Sequence, residues 1–199
     1  MKLNELSTVR SGLVIARKLV KTPDTANAPL AYRALNLRSI QPDGSIALDE
    51  IDQLYAAVPL GSDYLTKPGD IIVRLSIPYT AVLIDETTSG LVVSSNFVII
   101  RCKTGLLLPD YLVWLLNTPK VKKDIADSTG GNMLGAVKPS YFSSMEITPL
   151  SLANQKTIAS LHALSQREQK LLRQLATEKE KYHAYMIDQI QKDMRRNNK

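Results

Sequence analysis

SLANQKTIASLHALSQREQKLLRQLATEKEKYHAYMIDQIQKDMRR, residues 151–196, contains neither glycine nor proline, and neither occurs in the three residues that follow. Apolar or aromatic residues recur in it at Ile158, Leu161, Leu164, Leu171, Leu172, Leu175, Tyr182, Tyr185, Met186 and Ile190. Steps of three and four place them along one stripe of an α-helix. Ser151 offers the side-chain oxygen that an N-cap requires. A helix of about 44 residues is roughly 66 Å long, more than a small domain can cover. Helices in water are held mainly by packing of their apolar face, so the stripe calls for a partner helix. Read as heptads, the seam is interrupted by Ser165, Glu168 and Lys179. The competing arrangements, a helix folded back on its own domain or broken into a hairpin, would need a breaker that the segment lacks.

The 150 residues before it have a different texture. Residues 34–40 (ALNLRSI) alternate as a half-buried strand does. Gln41-Pro42-Asp43-Gly44 then supplies a turn, with residues 46–48 returning as a hairpin partner. Lys67-Pro68-Gly69-Asp70 is a second turn, feeding the apolar strand 71–75 (IIVRL). Residues 81–84, 91–93 and 97–101 are further short strands, and Cys102 extends the last of them as a packing residue. Pro109 suits a first helical position, followed by the stripe Tyr111, Leu112, Leu115, Leu116. Thr118 before Pro119 caps a second short helix through Ile125. Residues 128–135 hold three glycines and read as a loop, and residues 141–142 and 145–148 return to the core. The fold class is α+β: a strand-rich mixed domain over 1–150, then a long coiled-coil-type helix over 151–199.

The chain has 199 residues, 44% hydrophobic, enough for a real core and without the apolar run of about 20 that a membrane span needs. The amino terminus, MKLNELSTVR, lacks a signal-peptide core, and the single cysteine excludes an internal disulfide framework; both fit a cytoplasmic protein. The net charge of +6 is unevenly distributed. Residues 1–42 carry seven bases against two acids, residues 43–63 carry five acids and no Lys or Arg, and the last 49 residues carry ten bases against five acids. Basic poles of this kind suit a polyanion, or simply a solvated surface. Chemistry of other kinds is scarce. His162 and His183 both lie in the long helix, too far apart for one metal site, and there is no metal-binding cysteine pair, phosphate loop or dinucleotide turn. What remains is recognition chemistry. Arg17, Lys18, Lys21, Arg33 and Arg38 cluster in the basic amino-terminal segment, and Arg74 leads into Ser76 and Tyr79. Arginine can read guanine and asparagine adenine, while the Gly130-Gly131-Asn132 loop can offer backbone amides to phosphate. No catalytic and no metal-ligating residue is assigned.

Four stretches, in this order, resemble one half of a specificity subunit of a type I restriction–modification system. Residues 65–73 (LTKPGDIIV) resemble that family's L-x-x-G-D-I-L approach to a strand, and residues 108–116 (LPDYLVWLL) its L-P-x-Y-L helix. Thr129-Gly130-Gly131 followed by residues 138–142 (KPSYF) resembles its glycine loop and return segment. Residues 147–158 (ITPLSLANQKTI) resemble its proline-rich lead into a helix with E-Q-x-x-I, departing from it at Asn154 and in having the single Pro149.

The resemblance implies a DNA target-recognition domain at 1–150 and a spacer helix at 151–199. It further implies a non-catalytic chain that binds double-stranded DNA and docks modification and restriction subunits. S-adenosylmethionine would be bound by the modification subunit and no cofactor by this chain. Full-length members carry two such units and read a bipartite site. Two copies of this chain, paired antiparallel by their helices through Ile158, Leu161, Leu164, Leu171, Leu172, Leu175, Tyr182, Met186 and Ile190, would rebuild that arrangement and read a symmetric, interrupted site. A heterodimer with another specificity half is the variant of this scheme, and a helix-mediated scaffold without DNA binding is the alternative to it.

Overall fold

Two unbroken apolar runs form the middle of the amino-terminal unit. The computed structural model describes residues 1–15, 30–103, 105–129 and 136–197. In it β4 (Asp70–Arg74) and β7 (Phe97–Cys102) lie antiparallel, with Ile71 opposite Ile100, Ile72 opposite Ile99 and Val73 opposite Val98. β1 (Ser7–Ser11) borders β7 and β5 (Ala81–Leu83) borders β4, giving a four-stranded antiparallel sheet in the order β1-β7-β4-β5. Ile71, Val73, Val98 and Ile100 face one core, while Ile72, Phe97 and Ile99 face another. Successive side chains leave opposite faces of a strand. A strand stretch covered on both faces is therefore an unbroken apolar run, as residues 71–73 and 97–100 are, with the charged Asp70, Arg74 and Arg101 at the strand ends. Each such side chain, fully buried, contributes roughly 1.5–3 kcal/mol.

The first core is closed by α1 (Leu3–Leu6), α2 (Pro109–Asn117), α3 (Pro119–Ser128) and α4 (Pro139–Ser144), which supply Leu3, Leu112, Leu116, Ile125 and Phe142. The three later helices each begin with proline, whose missing N–H costs nothing in the first turn. Thr118 ends α2 and caps α3, its hydroxyl accepting from the Val121 amide. The second core lies between the four-stranded sheet and a three-stranded one, β3-β2-β6. There β2 (Leu30–Leu35) pairs antiparallel with β3 (Asp52–Ala56) and parallel with β6 (Val92–Val93).

The turn at 67–70 forms as its residues predict: Gly69 has φ +85°, the Asp70 amide donates to the Lys67 carbonyl at 2.9 Å and the Lys67 amide to the Asp70 carboxylate at 2.8 Å. The strand expected at 34–40 is displaced to Leu30–Leu35. The Asn36 side chain accepts from the amides of Arg38 and Ser39 at 2.8 and 2.9 Å, and the Ser39 hydroxyl donates to the Asn36 carbonyl. These local bonds outcompete the ladder and turn the chain. The expected hairpin is reduced to a bridge between Ile40 and Ile46 around Gly44.

α5 (Leu152–Asn197) is continuous, about 69 Å at 1.5 Å per residue. Ser151 caps it, accepting from the Asn154 amide at 3.3 Å. The chain divides into two units, Met1–Ala159 and Ser160–Lys199. The first two turns of α5 thus pack with the amino-terminal unit, and Ile158 and Ala159 lie against its first core. Gln155 is fully buried there. Its side-chain carbonyl accepts from the Leu108 amide at 2.9 Å, and its amide donates to the carbonyls of Leu106 and Leu150 at 2.9 and 2.8 Å. Among the described residues no helix is long and apolar enough to cross a membrane.

Candidate nucleic-acid interface and pairing helix

Among the described residues, the expected recognition residues do not converge on one patch. Arg17, Lys18, Lys21, Gly130, Gly131 and Asn132 lie outside the described residues. Arg38 is exposed but faces acids, 3.4 Å from Asp52 and 3.7 Å from Glu50. The Arg74 guanidinium is turned inward, donating to the Leu37 carbonyl at 3.2 Å and the Ser76 hydroxyl at 3.1 Å. It pins the Asn36 turn to the four-stranded sheet, and Ser76 is its acceptor. Tyr79 departs furthest from the expectation: it is 4% exposed and part of the first core, with φ +54°. An aromatic ring so covered cannot stack on or contact a base.

Arg33 stands in the open on β2. Its register partner on β3 is Gln53, also exposed, and the next pair on the same face is Ala31 with the half-buried Tyr55. The opposite face of this hairpin is inward: Ala34 and Leu54 join a small core with Val92, against which Tyr32 packs. Arginine and glutamine are side chains that can read base edges, and here they stand opposite one another with a tyrosine beside them. Neither Gln53 nor Tyr55 is among the residues expected from sequence. The alternation of DQLYA, residues 52–56, is the available signal, but the segment sits in the acidic stretch and its partner strand lies earlier in the chain than its alternation suggests.

A second charged group lies on the β1 edge. Asp63 sits between Arg10, with which it pairs directly, and Arg101, 3.7 Å away. The Arg10 guanidinium holds the Asp63 carboxyl below the usual carboxylate range. It also lies over the Tyr64 ring, 5.6 Å from its centroid. Arg101 in turn grips Asp70 with two bonds, Nε to Oδ1 at 2.8 Å and Nη2 to Oδ2 at 3.1 Å. The Asp70 side chain is 4% exposed. A pair this buried is maintained because either partner alone would be left uncompensated. This network fixes the loop around residue 63 to the sheet. Together with Thr8, Val9 and Ile99, Arg10, Asp63 and Arg101 line a pocket of about 420 Å3. Another pocket, of about 490 Å3, is lined by Ser128, Thr129, Val137, Lys138, Ser140 and Tyr141, where hydroxyls and one ammonium suit an anion. Burial, followed by the Asp124 charge, raises the Tyr141 phenol above its ordinary value.

Cys102 is half-buried, and burial pushes its thiol up to about 11, which leaves little thiolate at neutral pH. Among the described residues no group of three or more His, Cys, Asp or Glu could hold a metal ion.

Along α5 beyond residue 160 the stripe is open. Leu161, Leu164, Leu171, Leu172 and Leu175 are 53–68% exposed, and Tyr182, Tyr185, Met186 and Ile190 are exposed as well. Ile187 and Met194, not assigned from sequence, widen the stripe. Ile158 belongs to the core of the first unit and not to this open run.

No family model matches the sequence, and no curated protein matches it significantly. Solved structures do. A chain from a structure of the type I R-M system superposes with a TM-score of 0.66 at 17% identity, over 87% of this chain and 43% of that one. The HsdS subunit from Thermoanaerobacter tengcongensis gives 0.56 at 18% identity, over 84% of this chain and 44% of that one. The fold is an HsdS fold. This chain spans less than half the length of either of these two solved chains. The α+β class expected from sequence, strand-rich first and long helix last, is the class of this fold.

Proposed function

We propose that the chain is a DNA-specificity subunit of a type I restriction–modification system, non-catalytic itself, acting as a dimer in the cytoplasm. The observation that carries the reading is the match of nearly the whole chain to less than half of an HsdS subunit. A single recognition unit followed by one long helix with an open apolar stripe is half of a two-unit reader, and a second copy supplies the other half. Closed twofold dimers are the commonest oligomers. In this scheme the amino-terminal unit reads base edges, the Arg33–Gln53–Tyr55 face among them, and α5 sets the distance between two such units. The modification subunit that docks on the dimer binds S-adenosylmethionine and supplies the chemistry, and restriction subunits join the same assembly.

A gel-shift titration of the chain with its modification subunit on duplex DNA tests the reading. We expect binding that weakens by about a thousandfold or more between 50 and 200 mM salt if six or more phosphates are contacted. Arg33→Ala should relax sequence preference at one position of each half-site, at a cost of about 1–3 kcal/mol. A protein with no affinity for duplex DNA in either setting would instead be a helix-mediated scaffold, a reading favoured by the lack of any basic excess over residues 43–150.

A further inference from the structure

The polar residues that interrupt the stripe of α5 are placed where a second copy can answer them. Glu168 and Lys179 are eleven residues apart, three helical turns plus about 20°, so they lie nearly one above the other. The spacing recurs in the apolar residues around them, from Leu161 to Leu172 and from Leu164 through Leu175 to Met186. An eleven-residue repeat keeps a seam almost straight along the helix. Both charges are exposed. Lys181 with Glu178 and Lys192 with Asp188 form ion pairs within the helix, Glu178 at the edge of the stripe one heptad from Leu171, whereas Glu168 and Lys179 stand at its middle.

We propose that two copies pair antiparallel about a twofold axis between residues 173 and 174, with Glu168 of each helix against the partner's Lys179. The inference rests on the dimer reading above and adds its register. At that register Leu172 meets the partner's Leu175, and Leu161 meets the partner's Met186. Twofold symmetry makes the ion pair twice. A parallel pair in register would set Glu168 against Glu168 and Lys179 against Lys179, which is repulsive in both layers. A shift of one heptad in either direction would bury Lys179 against leucine or Glu168 against leucine or methionine. The two interruptions thus select the register of the antiparallel pair that the resemblance implies, as polar seam residues do in coiled coils.

Charge reversal tests this in the full-length protein by sedimentation equilibrium and native mass spectrometry. Glu168→Lys and Lys179→Glu, both at exposed helical positions, should each weaken the dimer at least tenfold, with helix content unchanged by circular dichroism. The double variant should recover most of the affinity. Mixing the two single variants should give a heterodimer well in excess of the statistical share, because both of its ion pairs are complementary. A disulfide should likewise form between a chain carrying Leu161→Cys and one carrying Met186→Cys, and not within either alone. A dimer unaffected by the single changes, with statistical mixing, would overturn the register while leaving the dimer intact. A wild-type protein that stays monomeric at tens of micromolar would overturn the dimer reading and the register with it.

Discussion

Gln155 shows how much one side chain can hold. It is a polar residue in the first turn of a helix, fully buried, with three hydrogen bonds to backbone groups on two other segments. Replacing it with leucine would keep the volume but leave the part-buried Leu108 amide and the Leu106 and Leu150 carbonyls without their partner, at about 1–3 kcal/mol for a group that water cannot reach. Gln155→Leu should therefore lose about 1–3 kcal/mol of stability in urea denaturation, and an unchanged stability would mean that water takes over all three bonds. Cys102 gives a prediction of the opposite kind, inertness. With its thiol pushed up to about 11, alkylation at pH 7.5 should run at least about a hundredfold slower than for a free thiol near 8.5, until the protein is unfolded. The residue scale is also where sequence reading was least successful. Arg38 and Arg74 read as free cations because their partners, Asp52 and the Leu37 carbonyl, are distant in the chain. Tyr79 read as a surface ring because a single aromatic in a turn carries no periodicity to reveal which way it faces.

Elements were legible where their reasons were local. The turn at 67–70, the prolines that open α2 and α3, the Thr118 and Ser151 caps and the apolar runs of β4 and β7 all announce themselves within a few residues. β1 and β3 did not. Their sequences, STVRS and DQLYA, are half polar, and what makes them strands is pairing with Phe97–Cys102 and Leu30–Leu35. The displaced β2 failed for a nameable reason, since the Asn36 and Ser39 side chains cap the strand from within a segment that alternates correctly. α5 was the clearest element in the sequence; its apolar residues from Leu161 on are exposed, Ile187 and Met194 are exposed beside them, and at Ile158 the helix is still part of the first core. Leu172→Lys and Leu175→Lys together, at the centre of the stripe, should abolish dimerisation in sedimentation experiments while leaving the amino-terminal unit folded. A dimer that survived both changes would place the seam elsewhere.

For the molecule as a whole, nearly all of this chain corresponds to less than half of each of the two solved chains that it matches. A two-unit protein can carry two different recognition surfaces and read two different half-sites. In the proposed dimer one such unit is doubled by a twofold axis, so that the same surface stands at both ends. Such a dimer would specify a symmetric, interrupted target, with the gap set by the paired helices. Single-molecule sequencing of methylated bases in a cell expressing this chain as the sole specificity subunit, beside its modification subunit, measures that target directly. A symmetric dimer should leave one palindromic motif with an unspecified gap, methylated on both strands. An asymmetric bipartite motif, or no motif that depends on this chain, would rule that dimer out as the reader.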